Sequence, residues 1–152
     1  MQILQQWAEA NAFLNWLRES SSIWAYPTFF FLHTAGLVFT AGASIIINVR
    51  LLGGAGDLPI APLARFYRPI WIGIWLTALS GAVMLATDLA TKLGNRLFLY
   101  KMLFVAIAVV LTVLLRRRVE GSQPTASTRA LAAASLVAWI GAVTAGKFMA
   151  YF

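Results

Sequence analysis

The chain is 152 residues long, 61% hydrophobic and 11% charged, with a mean hydropathy of +0.78. A soluble domain of this size carries roughly a quarter charged residues, so five acidic and twelve basic side chains cannot clothe it, and lipid must be part of its solvent. Ten Phe, six Trp and four Tyr exclude a disordered chain. The net charge of +7 sits mostly at the ends of apolar runs, which excludes a nucleic-acid surface. Zero cysteines exclude disulfides, thiolate metal sites, iron-sulfur clusters and covalent haem attachment.

Over residues 1–19, apolar Ile3, Leu4, Trp7, Ala10, Phe13, Leu14 and Leu17 recur at helical spacing among Gln5, Gln6, Glu9, Asn11, Asn15, Arg18 and Glu19. The pattern predicts one amphipathic helix lying in the membrane interface, with Trp7 and Trp16 in the headgroup layer. Ala8-Glu9-Ala10 resembles a cleavage site, but no basic stretch and continuous apolar run precede it, so the segment is expected to be retained. Ser20, Ser21 and Ser22 offer an N-cap to the helix that follows.

Four apolar runs then predict membrane spans at about 23–52, 69–87, 96–115 and 125–148. The first reaches Arg50 before meeting a full charge and is long enough to cross a hydrocarbon core of roughly 30 Å. It ends in a turn-rich stretch containing Gly53, Gly54, Gly56, Asp57, Pro59 and Pro62. Arg116, Arg117 and Arg118 close the third span, and Gly121-Ser122-Gln123-Pro124 breaks the chain before the fourth. The expected fold is all-α: an integral membrane four-helix bundle in a single domain, with an N-terminal amphipathic interfacial helix.

Basic residues near span ends set orientation. Arg50, Arg65, Arg68, Arg116, Arg117, Arg118 and Arg129 fall on one side, and Arg18, Lys92, Arg96, Lys101 and Lys147 on the other. Seven against five predicts a multi-pass protein of the bacterial inner membrane with both termini periplasmic.

His33, Gly36, Thr40, Ser44 and Asn48 share one stripe of the first span. The second span answers with Gly73, Thr77, Gly81, Met84 and Asp88, and the fourth with Ala134, Ala138, Ala142 and Gly146. Small residues at this spacing let membrane helices approach closely.

His33 is the only histidine and lies inside an apolar run. An intramembrane imidazole is either a polar clasp between helices, a ligand to haem iron or another metal, or a partner to a quinone. If haem, Met84 and Met102 are the candidate second ligands, alongside a second protomer's histidine or an open position; as plain side chains, both methionines are packing residues. Lys101, one turn inside the third span, either snorkels to the interface or pairs with Asp88 at the end of the second. No phosphate loop, nucleophile elbow or zinc-protease motif occurs, so the chain is not expected to be an enzyme on its own.

His33 with Gly36, the run Asn48-Val49-Arg50-Leu51-Leu52-Gly53, Pro69 before Gly73 and Ser80-Gly81, Asn95 through Lys101, and Ala145-Gly146-Lys147 with Ala150-Tyr151 together resemble a family of uncharacterised small four-helix bacterial inner-membrane proteins. That family is distantly similar, in span count and first-helix histidine, to the copper-resistance D and cytochrome b type membrane families. The resemblance covers the four spans and implies that His33, Arg50 and Lys101 are the residues to test. Relatives tend to carry an acidic residue before the Arg-Leu-Leu-Gly run and often a second histidine near the end of the third span. This chain has Asn48 and Arg116 to Arg118 there, which weakens a bis-histidine haem b.

Three functions follow as expectations. The first is an accessory or anchor subunit of a larger membrane assembly, such as one for electron transfer, associating with a partner membrane protein or with itself. The second is a carrier of haem b or quinone built around His33. The third is a transport component for a metal or small solute, the least supported because inverted repeats and broken helices are not evident.

Overall fold

A computed structural model describes residues 2–54, 56, 58–119 and 124–149. Asp57, Glu120, the Gly121-Ser122-Gln123 breaker and the Ala150-Tyr151 pair lie outside the described residues. The described residues form an all-α fold with four helices long and apolar enough to cross a membrane: Tyr26–Leu51, Ala61–Ala86, Arg96–Val119 and Ala126–Phe148. Their connectivity places Tyr26, Ala86, Arg96 and Phe148 at one end of the bundle, here the terminal face, and Leu51, Ala61, Val119 and Ala126 at the other, the loop face.

The N-terminal segment corrects one expectation. Residues 1–19 are not one helix: α1 (Gln2–Ala10) and α2 (Ala12–Glu19) are separated at Asn11. The Asn11 Oδ1 accepts from the backbone N–H groups of Phe13 at 3.0 Å and Leu14 at 3.2 Å, an N-cap that begins a new helix. Apolar spacing runs through Asn11 unbroken, which hides the break. The amphipathic character survives it: Ala8, Leu14 and Leu17 are buried while Trp7 and Trp16 are exposed. Arg18 fixes the pair to the bundle, donating to the carbonyls of Thr87 at 2.7 Å, Ala86 at 3.4 Å and Ala8 at 3.1 Å. Carbonyls at a helix C-terminus lack intrahelical donors, and a guanidinium satisfies several at once.

The serines do not cap the first span. Ser22 Oγ accepts from Trp24 N–H and Ser20 Oγ from Ser22 N–H, whereas the span's N-cap is Ala25. They shape a tight local turn before it. The first span comprises α3 (Tyr26–Leu37), a π turn at Val38–Gly42 and α4 (Ala43–Leu51), with Pro27 tolerated in its opening turn. The second span also begins earlier than expected, with a 3-10 segment Ala61–Phe66 running into α5 (Tyr67–Ala86); Pro69 falls in the first α-helical turn, where its missing N–H costs nothing. After the short α6 (Leu89–Gly94), the third span, α7 (Arg96–Val119), continues through Arg116–Arg118, because arginine is a good helix former and its charges are exposed beyond the apolar run. The fourth span is α8 (Ala126–Phe148), with the Thr125 side chain accepting from Thr128 N–H.

The spans pack as two pairs that join at mid-bundle, where Ala41 meets Ala108, Ala138 and Trp139, and again towards the loop face. α3 packs on α5 and α7 on α8, while α4 leaves the first pair to pack on α8. Where α3 meets α5, the backbones touch: a Cβ on Gly36 would lie 2.9 Å from the Gly73 carbonyl, and one on Gly73 2.6 Å from the Gly36 carbonyl. Only glycine permits that approach. Towards the loop face, Ile47, Leu51, Leu63, Ile70, Leu115 and Ala132 close all four spans into one apolar cluster. Towards the terminal face the pairs stand apart, and a cleft opens between them.

Candidate functional site

The cleft has a volume of about 300 Å³ and is overwhelmingly apolar. His33 and Leu37 line it from the first span, Thr77 and Gly81 from the second, Lys101 and Met102 from the third, and Trp139 from the fourth. Three features of the sequence create it: glycines where side chains must pass, an imidazole on α3, and a lysine one turn inside α7.

His33 is held in one orientation. Its Nδ1 lies 3.0 Å from the Thr77 carbonyl oxygen; a carbonyl only accepts, so Nδ1 carries the proton and Nε2 presents a lone pair. Ser80 Oγ stands 3.4 Å from the same Nδ1 and donates to the Leu76 carbonyl at 2.6 Å, so its own proton is engaged elsewhere. Gly81 gives the ring room: a Cβ there would sit 3.0 Å from His33 Cε1.

Lys101 comes from the opposite pair. Its Nζ lies 3.5 Å from His33 Nε2, at the long limit of a hydrogen bond, with the ammonium donating to the lone pair. Its stem runs past Gly146, where a Cβ would lie at ordinary contact distance, 3.5 Å from Lys101 Cε. The lysine therefore neither pairs with Asp88 nor snorkels out: it turns into the bundle. Asp88 is exposed at the N-cap of α6, and its field acts on Lys92 in the same short helix. Lys92 donates to the Met84 carbonyl and lies 5.9 Å from the centre of the Tyr26 ring. Burial pushes the Lys92 ammonium below the usual lysine range, against the opposing pull of Asp88.

The remaining candidates separate. Met102 shares the cleft with His33, whereas Met84 does not line it and instead uses its carbonyl to receive Thr87 Oγ1 at 2.8 Å and Lys92. Asn48 is buried near the loop face and donates from Nδ2 to Ser135 Oγ at 3.1 Å, joining the first and fourth spans. Arg50 ties down the following loop, donating to the carbonyls of Leu58 at 2.5 Å and Gly56 at 3.1 Å. Sequence reading treats Thr77 and Gly81 as packing residues; here they also set the tautomer and seat of His33. Trp139, buried at the back of the cleft with its Nε1 donating to Thr112 Oγ1 at 3.4 Å, has no signal in the sequence beyond its place in an alanine-rich helix.

The donor set does not fit a haem iron. Iron would need the Nε2 lone pair, which faces an ammonium, and the cation beside it would oppose the metal's charge. Among the described residues no group of three or more His, Asp or Glu side chains assembles to hold another metal. What the pair does offer is a donor and an acceptor side by side: Lys101 N–H for an oxygen, and His33 Nε2 for a hydroxyl proton. Searches against protein-family models, curated proteins and solved structures find no match.

Proposed function

We propose that this chain is a small, non-catalytic membrane subunit that holds a quinone-type lipophile in the cleft between its helix pairs, as part of a larger electron-transfer assembly. The observation that carries the reading is the Lys101 Nζ–His33 Nε2 pair, 3.5 Å apart at the edge of an apolar cleft of about 300 Å³. An ammonium in such surroundings is costly unless an acceptor completes its hydrogen bonding. A quinone carbonyl accepts from Lys101, and the hydroxyl of the reduced form donates to the fixed lone pair of His33, so one site serves both redox states. The long contact between the two side chains gives way readily to a ligand that bonds each of them better. Cleft volume falls at the lower end of the range for small-molecule sites, and apolar walls with a few convergent polar groups are their usual make-up.

The apolar cluster that closes the loop-face half supports a resident ligand over a permeating solute. Orientation follows from the basic residues: the loop face, with Arg116–Arg118 exposed, is the cytoplasmic side of an inner membrane, and the cleft lies in the periplasmic half. Exposed Trp75, Leu79, Leu103 and Val110 provide apolar surface to lipid and to the partner subunit.

The test is equilibrium binding of a quinone to the detergent-purified chain, followed by quenching of the tryptophan fluorescence that Trp139→Phe removes. Saturable quenching is expected. Lys101→Met should weaken it by about tenfold or more, the worth of a hydrogen bond to a charged group, and His33→Ala should weaken the quinol more than the quinone. Quenching that is unsaturable, or unchanged in both variants, would sink the reading.

A further inference from the structure

The cleft is not closed on all sides. Of the residues that line it, Ala78 and Met102 are part of the outer surface of the second and third spans, and Ala82 stands one turn on from Ala78, all three within membrane-spanning helices. Surface at that depth faces lipid, not water. Ala78 and Ala82 line the cleft from α5 and Met102 from α7, two helices that each have their main packing partner elsewhere, on α3 and α8. The terminal end is covered differently. Arg18 binds the last carbonyls of the second span, Lys92 binds the Met84 carbonyl, and α2 reaches the first span through the edge-on contact of Phe13 with Phe29, 6.1 Å between ring centres.

From this arrangement we infer that the occupant is a tailed lipid-borne quinone that enters sideways from the membrane, through a portal framed by Ala78, Ala82 and Met102, and not from the aqueous face. The head group stops at Lys101 and His33, and the hydrocarbon tail stays in the portal and the surrounding leaflet. This rests on the quinone reading of the same site and adds the ligand's tail and its route. A polar solute has no reason to take a path lined by alanine and methionine, and a tailed molecule already dissolved in the bilayer need not leave it. A thioether at the portal suits the task, since methionine adapts its shape to a passing chain.

Because the chain has no native cysteine, a single introduced thiol can be labelled cleanly. The chain is reconstituted in nanodiscs and association of a decyl-tailed ubiquinone analogue is followed by the quenching of Trp139 fluorescence. Ala82→Cys carrying a bulky maleimide should slow association by about tenfold or more. The same label on Ile72→Cys, exposed on the same span but outside the cleft lining, should leave the rate unchanged. Arg18→Ala, which loosens the terminal cover, should not speed association. The head group without its tail should bind about tenfold more weakly. Full binding by unlabelled protein with an unchanged rate in labelled Ala82→Cys overturns the lateral route. Equal affinity for the tailless head overturns the role of the tail. Absence of saturable quenching in the unlabelled chain overturns the site itself, and circular dichroism of each labelled variant separates a blocked portal from a collapsed fold.

Discussion

Lys101 Nζ lies 3.5 Å from His33 Nε2, and the contact bridges the two helix pairs on the terminal-face side of the buried clusters that join them at mid-bundle and near the loop face. Because Thr77 accepts from the far side of the ring, the imidazole is a single tautomer with its lone pair aimed at the lysine. The chain has one histidine, so nitrogen-15 NMR of imidazole-labelled protein gives one pair of ring signals. The Nδ1 signal should be that of a protonated nitrogen and the Nε2 signal that of an unprotonated one at neutral pH. Dominance of the opposite tautomer would contradict the Thr77 hydrogen bond and the donor–acceptor pairing built on it.

Gly81 should control the site without controlling the fold. A Cβ there would meet His33 Cε1 at 3.0 Å and Nδ1 at 3.2 Å, close enough to push the ring from Thr77 but against a side chain that can turn. Gly81→Ala is therefore expected to shift the imidazole signals and weaken quinone binding several-fold. Its thermal unfolding should stay within about 1 kcal/mol of the parent, the range of small packing changes. Loss of folding with binding intact in the residual folded fraction would reverse the assignment.

Asn48 and Ser135 should be coupled. Their 3.1 Å hydrogen bond is buried and joins positions 87 residues apart in sequence. Interhelical hydrogen bonds within membranes average about 0.6 kcal/mol in double-mutant cycles. Asn48→Ala and Ser135→Ala should each destabilise the chain, and the double variant should cost less than the two together by about that amount. Strict additivity in the unfolding free energies would mean that the bond contributes nothing net.

The four spans are legible because an uninterrupted apolar run of membrane length rarely arises except where helix must cross lipid. The stripe from Gly36 to Asn48 is legible for a related reason: small and polar residues at every fourth position must face protein. The break at Asn11 escapes periodicity, since a cap interrupts the backbone without disturbing apolar spacing, although asparagine is a good capping residue and its type carries the signal. Pairing of Lys101 with His33 escapes for a different reason. Opposite charge draws attention to Asp88, but side-chain reach is set by where neighbours leave room, and the room that seats the His33 ring comes from Gly81 on another helix.

Lys92 should leave a signature in the pH dependence of stability. Burial lowers the proton affinity of its ammonium in the folded chain, with Asp88 opposing and the Tyr26 ring, the Met84 carbonyl and Lys101 as its other neighbours. In the window just below the ordinary lysine value, the unfolded chain still holds the proton while the folded chain has begun to release it. Stability then rises with pH. Thermal unfolding of the parent minus that of Lys92→Gln should show this rise approaching about pH 10. A difference that falls through the same window would mean that Asp88 outweighs burial.

Two glycines of the first span should respond oppositely to the same substitution. Gly36 sits where α3 crosses α5, and a Cβ there would lie 2.8 Å from Thr77 N and 2.9 Å from Gly73 O. Both are backbone atoms of a packed helix, so relief requires moving the helices apart, which also loosens the Thr77 carbonyl that orients His33. Gly42, at the end of the π turn, would meet nothing within 4 Å. Gly36→Ala should therefore cost about 1–3 kcal/mol, the usual penalty for overpacking a filled contact, and should weaken ligand binding with it. Gly42→Ala should be neutral or stabilising by up to about 1 kcal/mol, because alanine loses less backbone entropy on folding. Thermal unfolding of both variants in the same detergent makes the comparison directly, and equal costs would show that the Gly36–Gly73 crossing does not hold the first pair together.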